Sequence, residues 1–323
     1  MRTIPEGAVM RVSAVIPCYN RAHMVGQAIE SVLRQTRPAD EIIVVDDGST
    51  DRSAEVAESF GARVRVIRRP HSGIPVTRNA GIQAATGDLV AWLDSDDVWE
   101  PEKLALQLPL FEDPAVGAAY GRASWSLTGR PQPEGELADG DIFEAIFRDF
   151  GLNCSTFVAR RDVLLDIGGF DESIAVLEDF DLLLKLTLRW KVRAVSKLIA
   201  RSTVHSGQIT KSDDARLFVH RLRLKQKYAS EYESRTGTSG AQWRADLLAR
   251  ALMELELLYY LHRDLRAARL LSQEVEELFP ELDDRTRARV RRIRRRSFLP
   301  KVLFRVVDTL SDKRRRQPRV ESR

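Results

Sequence analysis

The chain's 323 residues suffice for two domains with buried cores, and 43% apolar with 30% charged residues describes a soluble globular protein. Only Cys18 and Cys154 are present, which excludes a disulfide framework and a four-ligand zinc site. The net charge of +4 is unevenly spread: residues 285–323 hold 16 Lys/Arg against 3 Asp/Glu, a balance of +13, which leaves −9 for residues 1–284.

Met1 to Met10 has no apolar core of signal-peptide length, and no stretch approaches the roughly 20 apolar residues that cross a bilayer, so a cytoplasmic location is expected. Val12 to Ile16 reads as a strand broken by Pro17, and Ala22 to Gln35 carries apolar residues at helical spacing. Glu41 to Val45 is a second strand, β-branched throughout as in a parallel strand covered on both faces. It runs into Asp46-Asp47-Gly48-Ser49-Thr50-Asp51, where Ser49 or Thr50 suits a cap for a helix through Phe60. Val64 to Ile67 is a third strand, and Pro75 opens a helix that Gly87 ends. Leu89 to Leu93 is the fourth strand.

Pro101 to Phe111 reads as a helix and Val116 to Tyr120 as a strand, followed by a Gly/Pro-rich loop over 126–140. A short helix (Asp141 to Phe150), a short strand (Thr156 to Ala159), a Gly168-Gly169 turn, a helix to Trp190 and a strand from Val192 to Val195 complete this region. Strands alternating with helices at about 25-residue intervals predict an α/β fold with a doubly wound, mostly parallel sheet. The polar clusters at the ends of strands one, two and four then converge on one crevice.

The fourth strand ends in Asp94-Ser95-Asp96-Asp97, three carboxylates in four residues. Such crowding calls for a cation, and at a strand's carboxyl end a divalent metal meets that need; the alternative is a polar turn in which Asp94 caps the next helix. Asp97 is expected to cap that helix or to orient the loop.

Six segments in order resemble glycosyltransferase family 2, sugar-nucleotide enzymes of the GT-A fold. They are Val15-Ile16-Pro17-Cys18-Tyr19-Asn20, Asp46 to Asp51, Arg78-Asn79-Ala80-Gly81, Leu93 to Asp97, Gly168-Gly169-Phe170-Asp171 and Glu178-Asp179, spread over roughly residues 10–210. The resemblance implies an inverting, metal-dependent transfer of a sugar from a nucleoside-diphosphate-sugar to a hydroxyl. It casts Asp96, with Asp94 and His205, as holding Mg²⁺ or Mn²⁺, a hard cation suited to carboxylate and phosphate oxygens. Pro17, Tyr19, Asn20, Asp47, Arg78, Asp94 and Ser95 are cast as contacts to the nucleotide-sugar. A UDP-sugar is the favoured donor, although one carboxylate at Asp47 does not distinguish uracil from thymine or guanine. Asp179 is cast as the general base and Glu178 as its neighbour positioning the acceptor. Read without the resemblance, Arg78 suits a surface salt bridge, and Glu178 and Asp179 suit a helix N-terminus. The cysteines receive no catalytic role.

Past about Ser212 the strand signals stop. Asp213 to Arg235 is charged and helical, and Ala241 to His262 with the helix ending at Phe279-Pro280 reads as an αα-hairpin. The expected organisation is a catalytic domain over 1–210, a helical appendage over 211–284 and a basic tail over 285–323. The tail places Phe298, Leu299, Val302, Leu303, Val306, Val307 and Leu310 at helical spacing among Lys and Arg, the pattern of a peripheral segment on an anionic inner membrane face. A solvated helix on the acidic body is the alternative. Nucleic acid is disfavoured, since no aromatic residues are interleaved to stack bases. The acceptor expected is a glycan or lipid-linked saccharide. Two rival functions are a nucleotidyltransferase of similar fold and a sugar-nucleotide-binding protein without turnover.

Overall fold

The computed structural model describes residues 10–125, 137–149, 153–203, 215–261 and 264–297. His205, most of the Gly/Pro-rich loop and the apolar repeat from Phe298 to Leu310 lie outside them. The chain divides into two compact units, Met1–Lys211 and Ser212–Arg323.

In the first unit the described strands are β1 (Val12–Cys18), β2 (Glu41–Asp46), β3 (Arg65–Arg68), β4 (Leu89–Trp92), β5 (Asp97–Trp99), β6 (Val116–Trp125), β7 (Val158–Arg160) and β8 (Lys191–Ser202). They form one sheet in the order β3-β2-β1-β4-β7-β6-β8-β5. The β3-β2-β1-β4 portion is parallel, and so is β6 with β8. The pairings β4–β7, β6–β7 and β5–β8 are antiparallel, so the sheet is mixed. The helices are α1 (Val25–Leu33), α2 (Ser53–Glu58), α3 (Ile74–Ala84), α4 (Lys103–Gln107), α5 (Phe143–Asp149), α6 (Arg161–Asp166) and α7 (Glu178–Thr187). The continuous apolar strands are covered on both faces: Val15, Ile43, Val44, Val90 and Ala91 are all fully buried.

Several local expectations are revised. β1 runs through Pro17 to Cys18, because Pro17 lies beyond the last β1–β4 pair, Val15 with Trp92, where no ladder bond demands its missing N–H. Neither Ser49 nor Thr50 caps α2, which starts later; the Ser49 hydroxyl accepts the Asn20 N–H and the Thr50 N–H goes to Asn20 Oδ1. Asp97 does not cap a helix but opens β5, a strand absent from the sequence reading.

Two features fix the height of α3 above the sheet. Pro75 lies in its first turn, and Gly81 faces Val15 so closely that a Cβ there would come within 2.3 Å of Val15 Cγ1. Beneath the crevice α4 carries Lys103, fully buried, with its ammonium on Gln107 Oε1 at 2.6 Å and 4.3 Å from the Trp99 ring centroid. Among the described residues no carboxylate pairs with it, and burial holds its pKa well below the usual lysine range. The unfolded chain therefore binds a proton there that the native chain resists, so stability is full above pH 10.5 and falls as pH drops toward the native pKa. Urea unfolding is expected to show stability rising from pH 7 to 10, by at most about 1.4 kcal/mol per pH unit from this group. In Lys103→Met the rise should flatten; parallel profiles for the two proteins would refute the assignment.

The second unit holds α8 (Ala215–Lys227), α9 (Ala229–Thr236), α10 (Gly240–Glu256), α11 (Leu265–Leu278) and α12 (Asp284–Arg296). Trp243, Leu247, Ala251 and Leu255 of α10 and Ala268, Leu271 and Val275 of α11 are buried along the hairpin. α12 buries Val290 and Ile293, and Arg291 and Arg294 both pair with Glu276, which leaves Arg285, Arg292 and Arg295 exposed.

Candidate active site

The carboxyl ends of β1, β2 and β4 bring together Tyr19, Asp47 and the Asp94–Asp97 loop, as doubly wound topology directs. Asn20, at φ +52°, turns the chain out of β1, and its amide oxygen accepts from the loop after β2. That oxygen thereby fastens two strand-end loops together. Asp46 caps its own loop, accepting the Ser49 N–H at 3.2 Å, and Asp47 accepts from Ser72 and Gly73. Pro17 is partly buried, and Tyr19 stays 40% exposed beside the Asp47 carboxylate.

The centre of the site is Arg78. Its guanidinium is buried, donating to Asp94 Oδ1 at 2.9 Å through one nitrogen and to Glu178 Oε1 through another. It also lies 5.4 Å from the centre of the Phe170 ring, which packs edge-on against Trp92 at the end of β4. Arg78 is thus a strut between the strand-four loop and the start of α7, not a surface ion pair. The next residue, Asn79, serves the same joint. Its amide donates to Phe170 O and accepts the Phe170 N–H, both at 2.9 Å, and Gly169 at φ +65° makes room, since a Cβ there would sit 2.5 Å from Asn79 Oδ1. Leu177, a non-glycine residue at φ +64°, then aims the first turn of α7.

That turn carries Glu178 and Asp179. Burial raises the Glu178 pKa to about 7, against the pull of Arg78 and with the Asp179 charge adding to the rise. Burial also raises Asp179, again opposed by Arg78. Asp179 Oδ1 accepts its neighbour's N–H, from Phe180 at 2.8 Å. Two adjacent carboxyls whose pKa values burial raises, one of them bonded to a guanidinium, are an arrangement from which a proton acceptor can be made.

Asp94, Asp96 and Asp97 part company. Asp97 is buried and accepts from the hydroxyls of Ser155 (2.6 Å) and Ser202 (3.2 Å); burial, with Asp94 adding, raises its pKa to about 7. The Ser155 hydroxyl also accepts the Asp94 N–H at 3.0 Å, so Asp97 and Ser155 set the loop from behind. Asp96 meets Arg21 Nε at 3.7 Å. Ser95 is buried, and burial pushes the pKa of the Cys18 thiol up to about 12. Burial likewise raises the Cys154 thiol, so both cysteines are protonated and poor nucleophiles at neutral pH. Ser155, Asn153 and Arg21 escaped the sequence reading; the serine and asparagine lie some 60 residues from the loop they support, in a turn with no pattern of its own.

Residues 13–168 match the family model described as Glycosyl transferase family 2. Over that segment the chain is similar to this family. An uncharacterized glycosyltransferase of Nostoc sp. is 43% identical over 107 residues, 32% of this chain and 33% of that protein. Chondroitin synthase of Pasteurella multocida is 31% identical over 205 residues, 60% of this chain and 20% of that protein. Among the first curated relatives the chain spans between 33% and 65% of their length. The fold is also that of S. aureus TarS 1-349 in complex with UDP-GlcNAc, at TM-score 0.62 and 20% identity, covering 90% of this chain and 89% of that one.

Proposed function

We propose that this chain is an inverting glycosyltransferase that moves a sugar from a nucleoside-diphosphate-sugar, with a UDP-sugar favoured, to a hydroxyl of a saccharide or lipid-linked saccharide. The observation that carries the reading is the Arg78 strut, which joins the Asp94 loop to the Glu178–Asp179 turn in one crevice. The UDP and UDP-GlcNAc complexes of the structural neighbour favour a uridine nucleotide. Tyr19 and Asp47 hold the base, and Asp94 and Asp96 face the diphosphate.

Asp94 and Asp96 would hold Mg²⁺ or Mn²⁺. Among the described residues no group of three or more His, Cys, Asp or Glu is placed to hold a metal. Asp94 and Asp96 supply two hard carboxylates, and diphosphate oxygens would complete the shell. Asp96 already draws the Arg21 cation, which speaks for its demand for positive charge. When bound, the metal supplies Lewis-acid neutralisation of the departing diphosphate. Asp179 takes the proton of the acceptor hydroxyl as that oxygen attacks the anomeric carbon and the bond to the diphosphate breaks, with inversion. Glu178, held by Arg78, fixes the turn that presents Asp179 and borders the acceptor.

The test is nucleotide release across UDP-, GDP- and dTDP-sugars with an oligosaccharide acceptor, with and without Mn²⁺. Release from a UDP-sugar that stops on chelation is expected; release indifferent to metal would remove the role given to Asp94 and Asp96. Consumption of a nucleoside triphosphate instead would favour the nucleotidyltransferase reading.

Exposed Arg285, Arg292 and Arg295 on α12 favour an anionic membrane surface as the partner of the basic segment, each worth about 1 kcal/mol near such a leaflet. The full chain is expected to float with vesicles containing phosphatidylserine at low salt and to stay behind with phosphatidylcholine alone. Equal flotation with both would exclude an electrostatic anchor.

A further inference from the structure

The segment after β3 returns across the ends of β1 and β2: the Arg69 N–H donates to Asp46 O at 2.9 Å. Gly48, at φ +74°, lets it pass, for a Cβ there would meet His71 N at 2.7 Å. His71 is thereby laid on Tyr19, ring centroids 4.2 Å apart and planes 23° from parallel. Its Nδ1 is 2.9 Å from Asp47 Oδ2 and 3.1 Å from Asp47 O. Both neighbours are acceptors, which assigns the proton to Nδ1. Asp47 is otherwise occupied by the Ser72 N–H and hydroxyl on Oδ1 and by the Gly73 N–H on Oδ2.

We propose that His71 is a built-in surrogate for the donor's base. A flat ring stacked on Tyr19, with one ring N–H directed at Asp47, offers these two residues what a base with a ring N–H would offer them. Uracil, thymine and guanine have such an N–H; cytosine and adenine present a ring acceptor at the corresponding edge. The inference rests on the reading that Tyr19 and Asp47 hold the base. Ring and base cannot share one place, so donor binding exchanges one for the other. The exchange returns a hydrogen bond to Asp47 only for the first group of bases; the others would leave a buried carboxylate facing a lone pair. Asp47 therefore sets which nucleotides bind, and His71 lowers the affinity of those that do, by the fraction of time it occupies the site.

Isothermal titration of the full chain with UDP, GDP and ADP tests this. His71→Ala is expected to bind UDP about tenfold more tightly, the factor for a ring in place about nine-tenths of the time. ADP should gain the same factor from a weaker starting point, since any base in this place displaces the ring. His71→Phe keeps the stack without the N–H and should gain less than His71→Ala. The side chain is 57% exposed, so both variants are expected to fold, which circular dichroism would verify. Unchanged or weaker UDP binding by His71→Ala would overturn the surrogate and make His71 a wall of the base site. Asp47→Asn and Tyr19→Ala separate the two levels. If neither weakens UDP binding, the base-site reading itself fails; if they weaken it and His71→Ala does not tighten it, only the surrogate fails.

Discussion

Exchange of Arg78 for methionine is expected to lower the unfolding free energy by about 3–5 kcal/mol, the range for removing one partner of a buried ion pair. The reason is what stays behind: Glu178 is buried, Asp94 is two-thirds covered, and both lose the guanidinium that compensates them. An arginine that merely awaited phosphate in solvent would be lost at little cost to folding, so urea unfolding near pH 7 separates the two roles. The same exchange has a kinetic signature. Arg78 pulls the carboxyls of Glu178 and Asp179 down against the burial that raises them. Without it both pKa values rise further, Asp179 is deprotonated only at higher pH, and the acid limb of kcat/KM against pH moves to the alkaline side. Lysine restores the charge but not the two-pronged geometry, so Arg78→Lys should recover part of the stability and little of the rate. Wild-type stability in Arg78→Met would sink the strut.

The second large effect concerns Asp179. Asp179→Asn keeps size and the hydrogen bond accepted from Phe180 while removing the proposed proton acceptor. A fall in kcat by about 10²–10⁴ is expected, the usual contribution of a positioned base, with UDP affinity measured by calorimetry unchanged. The split matters because Asp179 neighbours Glu178, which Arg78 ties to the Asp94 loop. Parallel losses of turnover and UDP binding would mean that the residue shapes the crevice instead of accepting the proton.

Much of this was legible in the chain because β-branched runs and turn chemistry are local. Ile42 to Val45 and Leu89 to Leu93 announce buried parallel strands, and such strands must end at one crevice, so Asp47 and Asp94 fall together without any contact being known. What escaped was set by partners distant in sequence. Asp97–Trp99 is a three-residue strand whose existence depends on Ser202, Arg201 and Ala200, about a hundred positions away. Arg78 reads on a helix like any exposed arginine; only the arrival of Glu178 from a further hundred residues on makes it a buried strut. His71 carries no signal at all until Gly48 brings it onto Tyr19. Asn20 also ties two strand-end loops together, as polar residues in tight turns often do.

Gly81 gives the crevice a tolerance that chemistry alone does not predict. It touches none of the acids, yet the contact with Val15 sets how far Arg78 and Asn79 stand above the strands. One added methyl would lift α3 by a few tenths of an ångström to an ångström, and a guanidinium bridging two carboxylates has no slack of that size to absorb. The position least forgiving of change would then be an apolar contact about one turn along the helix from Arg78, felt as misalignment rather than as a missing group.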